Sequence, residues 1–117
     1  MEKLLKLEEL AMFILGIIVF SQQPFSWWWF LVLILLPDLG MLGYLINSKV
    51  GALTYNICHH KGLALCLYFI GVYLEMPIWQ LIGIIILSHA SLDRIFGYGL
   101  KFEDAFNHTH LGKIGKN

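Results

Sequence analysis

The sequence predicts an all-α integral membrane protein, a four-helix bundle with both termini cytoplasmic and a short amphipathic segment after the last helix. Three observations carry this expectation. First, 58% of the 117 residues are hydrophobic and only 14% charged, with a mean hydropathy of +0.70; a soluble domain this short needs more polar surface to cover its core. Second, the apolar residues gather into four runs, about 4–20, 27–46, 51–74 and 78–96, each near the ~20 residues that cross a bilayer core. Third, the basic residues that flank these runs all fall on one side of the resulting bundle.

The first run follows Lys3 and Lys6 and superficially resembles a secretory signal. Glu8 and Glu9 interrupt it and no small-residue cleavage pattern precedes Pro24, so it reads as a retained first helix. Ser21, Gln22, Gln23 and Pro24 close it. The second run opens on Trp27, Trp28 and Trp29, as in an interfacial aromatic belt, and ends at the Asn47–Gly51 break. Within the third, Lys61 lies about ten positions in. Its stem snorkels to the interface, or it faces an interior acid, or the helix enters the membrane later than drawn. Cys58 and Cys66 share this run, roughly 12 Å apart on a continuous helix, too far for a disulfide. They read as small apolar core residues. After the break at Glu75–Pro77 the fourth run begins beside Trp79.

Lys3, Lys6, Lys49, Arg94, Lys101, Lys113 and Lys116 then share one face of the membrane, which the positive-inside rule makes cytoplasmic. The expected location is the cell (inner) membrane, multi-pass, with one domain over residues 1–117 and a cytoplasmic tail at 97–117. In that tail Phe102 and Phe106, at i,i+4, predict a short amphipathic helix under the bundle. Eight basic against eight acidic residues leave no electrostatic footprint for nucleic acid. The absence of a C-x-x-C pair removes zinc-ribbon and thioredoxin-type readings.

Ionisable groups inside membrane spans are costly and usually mark function. Counted at ~1.5 Å per residue from the cytoplasmic helix ends, Asp38, His59 and His89 each lie about 12 Å inside, with Asp93 and Glu8/Glu9 shallower at about 6 to 8 Å. His89 and Asp93 are i,i+4 neighbours, and Asn56 shares a helical face with His59 or His60. Pro37 frees backbone carbonyls beside Asp38. Helical His and carboxylate pairs that project into one interior volume are how bundles build metal sites. Mixed imidazole and carboxylate ligands suit zinc, iron or manganese. The bland alternative is that these pairs, with Arg94 neutralising an acid, merely hold helices together.

The motifs resemble a known family. Pro37-Asp38-Leu39 with Gly43-Tyr44, Tyr55-Asn56-x-x-His59, His89-x-x-x-Asp93-Arg94 with Gly97-Tyr98-Gly99-Leu100-Lys101, and Thr109-His110-Leu111-Gly112 are similar to small bacterial four-span membrane proteins grouped as a domain of unknown function, of the 4260 type. The resemblance implies the four-span fold and singles out Asp38, Asn56, His59, His89, Asp93 and His110; His60 and His108 lie off its motifs. A more distant similarity is to inner-membrane proteins described as metal-dependent hydrolases, carried by Pro37-Asp38, His59-His60-Lys61-Gly62 and Ser88-His89-x-x-x-Asp93. Where that pattern has a second Asp and then a His, Gly40 and Met41 stand here.

The resulting expectation is a membrane-embedded, metal-dependent, hydrolase-like enzyme acting on a lipid-phase or amphipathic substrate from the cytoplasmic side. Asp38, His59, His89, Asp93 and His110 would be ligands and Glu9 the general base, with Asn56, His60, Arg94, Asp104 and Tyr98 around substrate or ligands. The alternatives are a proton-coupled carrier with a His/Asp/Glu relay, a haem protein with His59 and His89 as axial ligands, and a structural membrane subunit. Besides the bilayer and such an amphiphile, a second copy is an expected partner, because four helices are few for a translocation path.

Overall fold

The computed structural model describes residues 1–100, 108–109 and 111–113. Their order is α1 (Glu2–Ser21), α2 (Trp27–Leu33), a 3-10 helix (Leu36–Leu45), α3 (Ser48–Cys58), α4 (Lys61–Tyr73), α5 (Pro77–Ile95), then β1 (His108–Thr109) and β2 (Gly112–Lys113), a two-residue antiparallel pair. The protein is thus built from helices, but the second and third apolar runs are each broken rather than continuous. The predicted amphipathic helix around Phe102 and Phe106 lies outside the described residues.

Both breaks have local causes. Pro37 has no N–H to give, and the Asp38 N–H bonds to the Leu35 carbonyl at 3.2 Å, so the chain tightens into 3-10 geometry. The second break is polar. α3 stops with His59 at φ −121° and ψ 13°, and His60, in extended conformation, caps α4 by accepting the Leu63 N–H on Nδ1 at 3.0 Å. Asn47 caps α3 in the same way through Val50, at 2.8 Å.

Helix α5 packs between α1 and α4, while α3 packs on the 3-10 segment. The two groups meet where the 3-10 segment touches α5 along a narrow seam. An apolar cluster of Phe20, Phe30, Leu81, Ile84 and Ile85 fills the end remote from the basic residues, with Phe20 and Phe30 edge to face at 5.1 Å. Small residues bring the backbones close. A Cβ on Gly83 would collide with the Ala64 carbonyl oxygen, so α4 and α5 touch backbone to backbone there.

By length and composition, α5 and the segment Trp27–Leu45, which joins α2 to the 3-10 helix, are each 19 residues long and apolar enough to cross a membrane. Large apolar side chains such as Leu7, Ile18, Leu31, Val32, Leu53 and Phe69 are exposed on the helices' outer faces. Soluble surfaces rarely present contiguous apolar area on this scale.

Candidate metal centre

The seam between the two helix groups is where four of the predicted ligands meet. Asp38 comes from the 3-10 segment, His59 from the end of α3, and His89 and Asp93 from successive turns of α5. One ligand atom from each residue lies within 4.8 Å of all the others, a group that could hold a metal ion. His89 Nε2 stands 3.0 Å from Asp38 Oδ1 and 3.3 Å from Asp93 Oδ2; His59 Nε2 stands 3.4 Å and 3.3 Å from the same two oxygens.

Hydrogen bonds on the far side of each imidazole orient it. His59 Nδ1–H donates to the Tyr55 carbonyl at 2.9 Å, and His89 Nδ1–H donates to the Ile34 carbonyl. The Ile34 carbonyl is available because its 3-10 partner would be the missing N–H of Pro37, while Asp38 bonds elsewhere. With Nδ1 protonated on both rings, each Nε2 faces the two carboxylates. His89 Nε2 is within hydrogen-bond distance of Asp38 Oδ1, which takes a proton on one of them, while a neutral His59 turns its Nε2 lone pair toward the acids. Buried His59 Nε2, close to both acids, makes no hydrogen bond with either. Four electron-pair donors facing one another are mutually repulsive without a cation or added protons among them.

The spacing fits an ion. With ~2.0–2.1 Å metal–ligand bonds, neighbouring ligand atoms stand roughly 3 to 3.4 Å apart, close to the four histidine–aspartate separations, and the remaining two pairs lie within 4.8 Å. The rings of His59 and His89 stand edge to face with centroids 4.7 Å apart, which leaves no room for the plane of a porphyrin between them.

Tyr55 completes the centre and was not among the residues singled out from the sequence as site residues. Its ring stacks on His59 with centroids 3.8 Å apart, and its hydroxyl donates to Asp93 Oδ2 at 3.3 Å. The available signal was its place one turn before His59 in the Tyr-Asn-x-x-His motif, where one helical face carries both side chains.

The remaining predicted residues divide by position. Glu9 does not join the ligands: its carboxylate takes the Lys61 ammonium, which also contacts Met12 Sδ, tying α1 to the start of α4. His60 is exposed and serves as a cap, while its neighbour His59 is the buried ring. The Asn56 carbonyl accepts the His59 N–H at 3.2 Å. Arg94 and Tyr98 border the small space against Tyr55, His59 and Asp93. Arg94 also lines a cleft with Glu2, Lys6 and Glu9. His110 and Asp104 lie outside the described residues.

The chain turns back over the centre where α5 ends. Gly97 adopts φ +91°, Gly97 N–H bonds to the Arg94 carbonyl at 3.2 Å and Tyr98 N–H to the Asp93 carbonyl at 2.9 Å, a glycine-terminated helix end. Tyr98, Gly99 and Leu100 are thereby laid against His59 and Asp93, where the remaining space does not admit water.

The model of one family, described as a domain of unknown function (DUF4260), matches residues 2–114. The chain belongs to that family. No curated protein and no solved structure matches it.

Proposed function

We propose that this DUF4260 protein is a membrane-embedded metalloprotein with hydrolase-like chemistry, acting from the cytoplasmic side on a lipid-phase or amphipathic substrate. In this reading the four runs cross the bilayer, the second and third through broken helices, and both termini are cytoplasmic. Irregular backbone at membrane depth is tolerated where it is buried in protein or lines a cavity. Here the breaks at Ile34–Leu35 and His59–His60 sit beside the polar centre.

One observation carries the metal: both imidazoles spend their Nδ1 protons on backbone carbonyls and turn their Nε2 atoms toward two carboxylates. Zinc, iron or manganese fit the mixed imidazole and carboxylate ligand types. Bound there, such an ion supplies Lewis acidity and an acidified water, the basis of hydrolysis at neutral pH. The chain's own residues hold the ligands in orientation, Tyr55 on Asp93 and the two carbonyls on the histidines. Asp38, with 41% of its side chain exposed against 4% for each histidine, marks the side on which a substrate can approach.

A second reading rests on the number of protein ligands. Four protein ligands, with no position left over, describe a closed structural site that joins the two helix groups across their seam. Elemental analysis of the purified protein, repeated for His89→Ala, tests the metal in both readings. About one transition-metal ion per chain, lost in the variant, is the expected result; metal-free wild-type protein whose stability ignores chelators overturns both. Hydrolysis of acyl or phosphate ester amphiphiles by the loaded protein separates the first from the second.

A further inference from the structure

The start of α1 and the end of α5 enclose a cleft at the basic end of the protein. Glu2, Leu5, Lys6 and Glu9, at helical spacing on one face of α1, form one wall. Arg94 lies on the other, and Leu111, between β1 and β2, borders the same space. The charges in the cleft do not balance. Glu2 holds Lys6 at 3.3 Å, and Glu9 is taken by Lys61 from α4. Asp93, next to Arg94 in the chain, is turned away to Tyr55, His59 and His89. Arg94 is half-buried, and among the described residues no carboxylate pairs with it. Two acids thus meet three cations.

That imbalance and the residue types select the occupant. A guanidinium keeps its charge throughout the physiological range, and its planar fork of N–H donors matches phosphate oxygens in pairs. Half-buried without a counter-charge, it is costly to keep. Lys6 is available to join it. The Lys6 and Glu2 side chains are 44% and 83% exposed, and a surface pair of that kind contributes little, so Lys6 can leave Glu2 for a more highly charged anion. The Glu9–Lys61 pair is far less exposed and ties α1 to α4, so it stays intact and Lys61 offsets the charge of Glu9. Arg94 and Lys6 together match the roughly −1.5 to −2 charge of a phosphomonoester, whereas a carboxylate needs Arg94 alone. Leu5 and Leu111 give the cleft apolar walls, which strengthen the attraction.

We propose that this cleft is a phosphate site, held by Arg94 with Lys6, for a phosphomonoester group carried either by a lipid headgroup or by a free phosphate compound. In the membrane reading above it opens at the cytoplasmic interface, the level at which basic pockets between helices take up lipid phosphates. None of the four residues Asp38, His59, His89 and Asp93 lines it, so the site stands without a metal.

Two binding measurements on the detergent-purified full chain test it: native mass spectrometry with dioleoyl phosphatidate against dioleoyl phosphatidylcholine, and equilibrium dialysis with labelled inorganic phosphate. Phosphatidate is expected to be retained in preference to phosphatidylcholine, and Arg94→Gln to weaken its binding about tenfold, the loss of a charge-assisted pair of hydrogen bonds. Arg94→Lys, which keeps the charge and loses the fork, recovers part of it. Inorganic phosphate that binds with the same dependence on Arg94 assigns the site to free phosphates, and retention of phosphatidate alone assigns it to lipid; either result supports the proposal. If Arg94→Gln fails to fold, Lys6→Gln, at an exposed position on α1, carries the test with an expected loss of about threefold. Binding of neither probe, equal retention of the two lipids, or undiminished binding in the folded variants overturns the proposal. Binding that survives Arg94→Gln but disappears in His89→Ala overturns it as well, because the anion then sits at the metal centre.

Discussion

His89 Nδ1–H donates to the carbonyl of Ile34, a group left without its helical partner by Pro37 three residues on. The break in the second apolar run and the orientation of a proposed metal ligand are therefore one feature. Replacing Pro37 by Ala restores an N–H that competes for the Ile34 carbonyl and lets the segment tighten into a regular helix. Metal affinity is expected to fall by about tenfold, the low end for loss of a group that orients a ligand. Competition with a chromogenic chelator measures it; unchanged affinity means the carbonyl does not set the ring.

Tyr55 stacks on His59 and donates to Asp93 from the same helical face. Tyr55→Phe keeps the stacking and removes the hydrogen bond, leaving the Asp93 oxygen freer to rotate. The expected loss is about tenfold in metal affinity with little change in thermal stability, whereas Tyr55→Ala, which also opens a cavity, is expected to cost about 3 kcal/mol or more. Chelator competition and thermal unfolding, read side by side, separate the two effects.

What could be read from the sequence divides by kind of coordinate. Counting residues from the helix ends placed Asp38, His59 and His89 at one depth, and the three do meet, although the count took ~1.5 Å per residue throughout and Asp38 sits in a 3-10 segment that rises about 2.0 Å per residue. Depth says nothing of azimuth or of where a helix stops. Glu9 was expected near the ligands on depth, yet it points to Lys61, a cation whose height in the bundle depended on an unseen helix start. That start is at Lys61, capped by His60, and no Pro or Gly immediately precedes it to announce the break; only because α3 ends at Cys58 do His59 and His60 take different roles. The Ile34 carbonyl was beyond reach for a different reason: a backbone group has no residue-type signal, although Pro37 pointed to its neighbourhood.

Metal and protons compete for the same Nε2 lone pairs. Because both Nδ1 atoms already carry protons, acidification adds a proton at Nε2 on the metal-facing side of each ring. Apparent metal affinity is thus expected to fall on acidification, with protons released as metal displaces them from Nε2. Titration of metal in two buffers of different ionisation enthalpy measures that release. An affinity that does not respond to acidification would count against imidazole ligands.

At the opposite end of the protein the turn between α4 and α5 is stressed in a way that a single substitution relieves. Glu75 adopts φ 54°, with its N–H on the Val72 carbonyl at 3.2 Å and the Met76 N–H on the Gly71 carbonyl at 2.8 Å, a helix end whose left-handed position usually carries glycine. A residue with a Cβ costs roughly 1–2 kcal/mol there. Glycine removes that cost but loosens the unfolded chain, so Glu75→Gly is expected to stabilise the protein by about 0.5–1 kcal/mol. The turn is distant along the chain from all four ligands, so metal content stays constant while the unfolding midpoint rises. A fall in stability would mean that the Glu75 side chain makes an interaction worth more than the backbone strain it imposes.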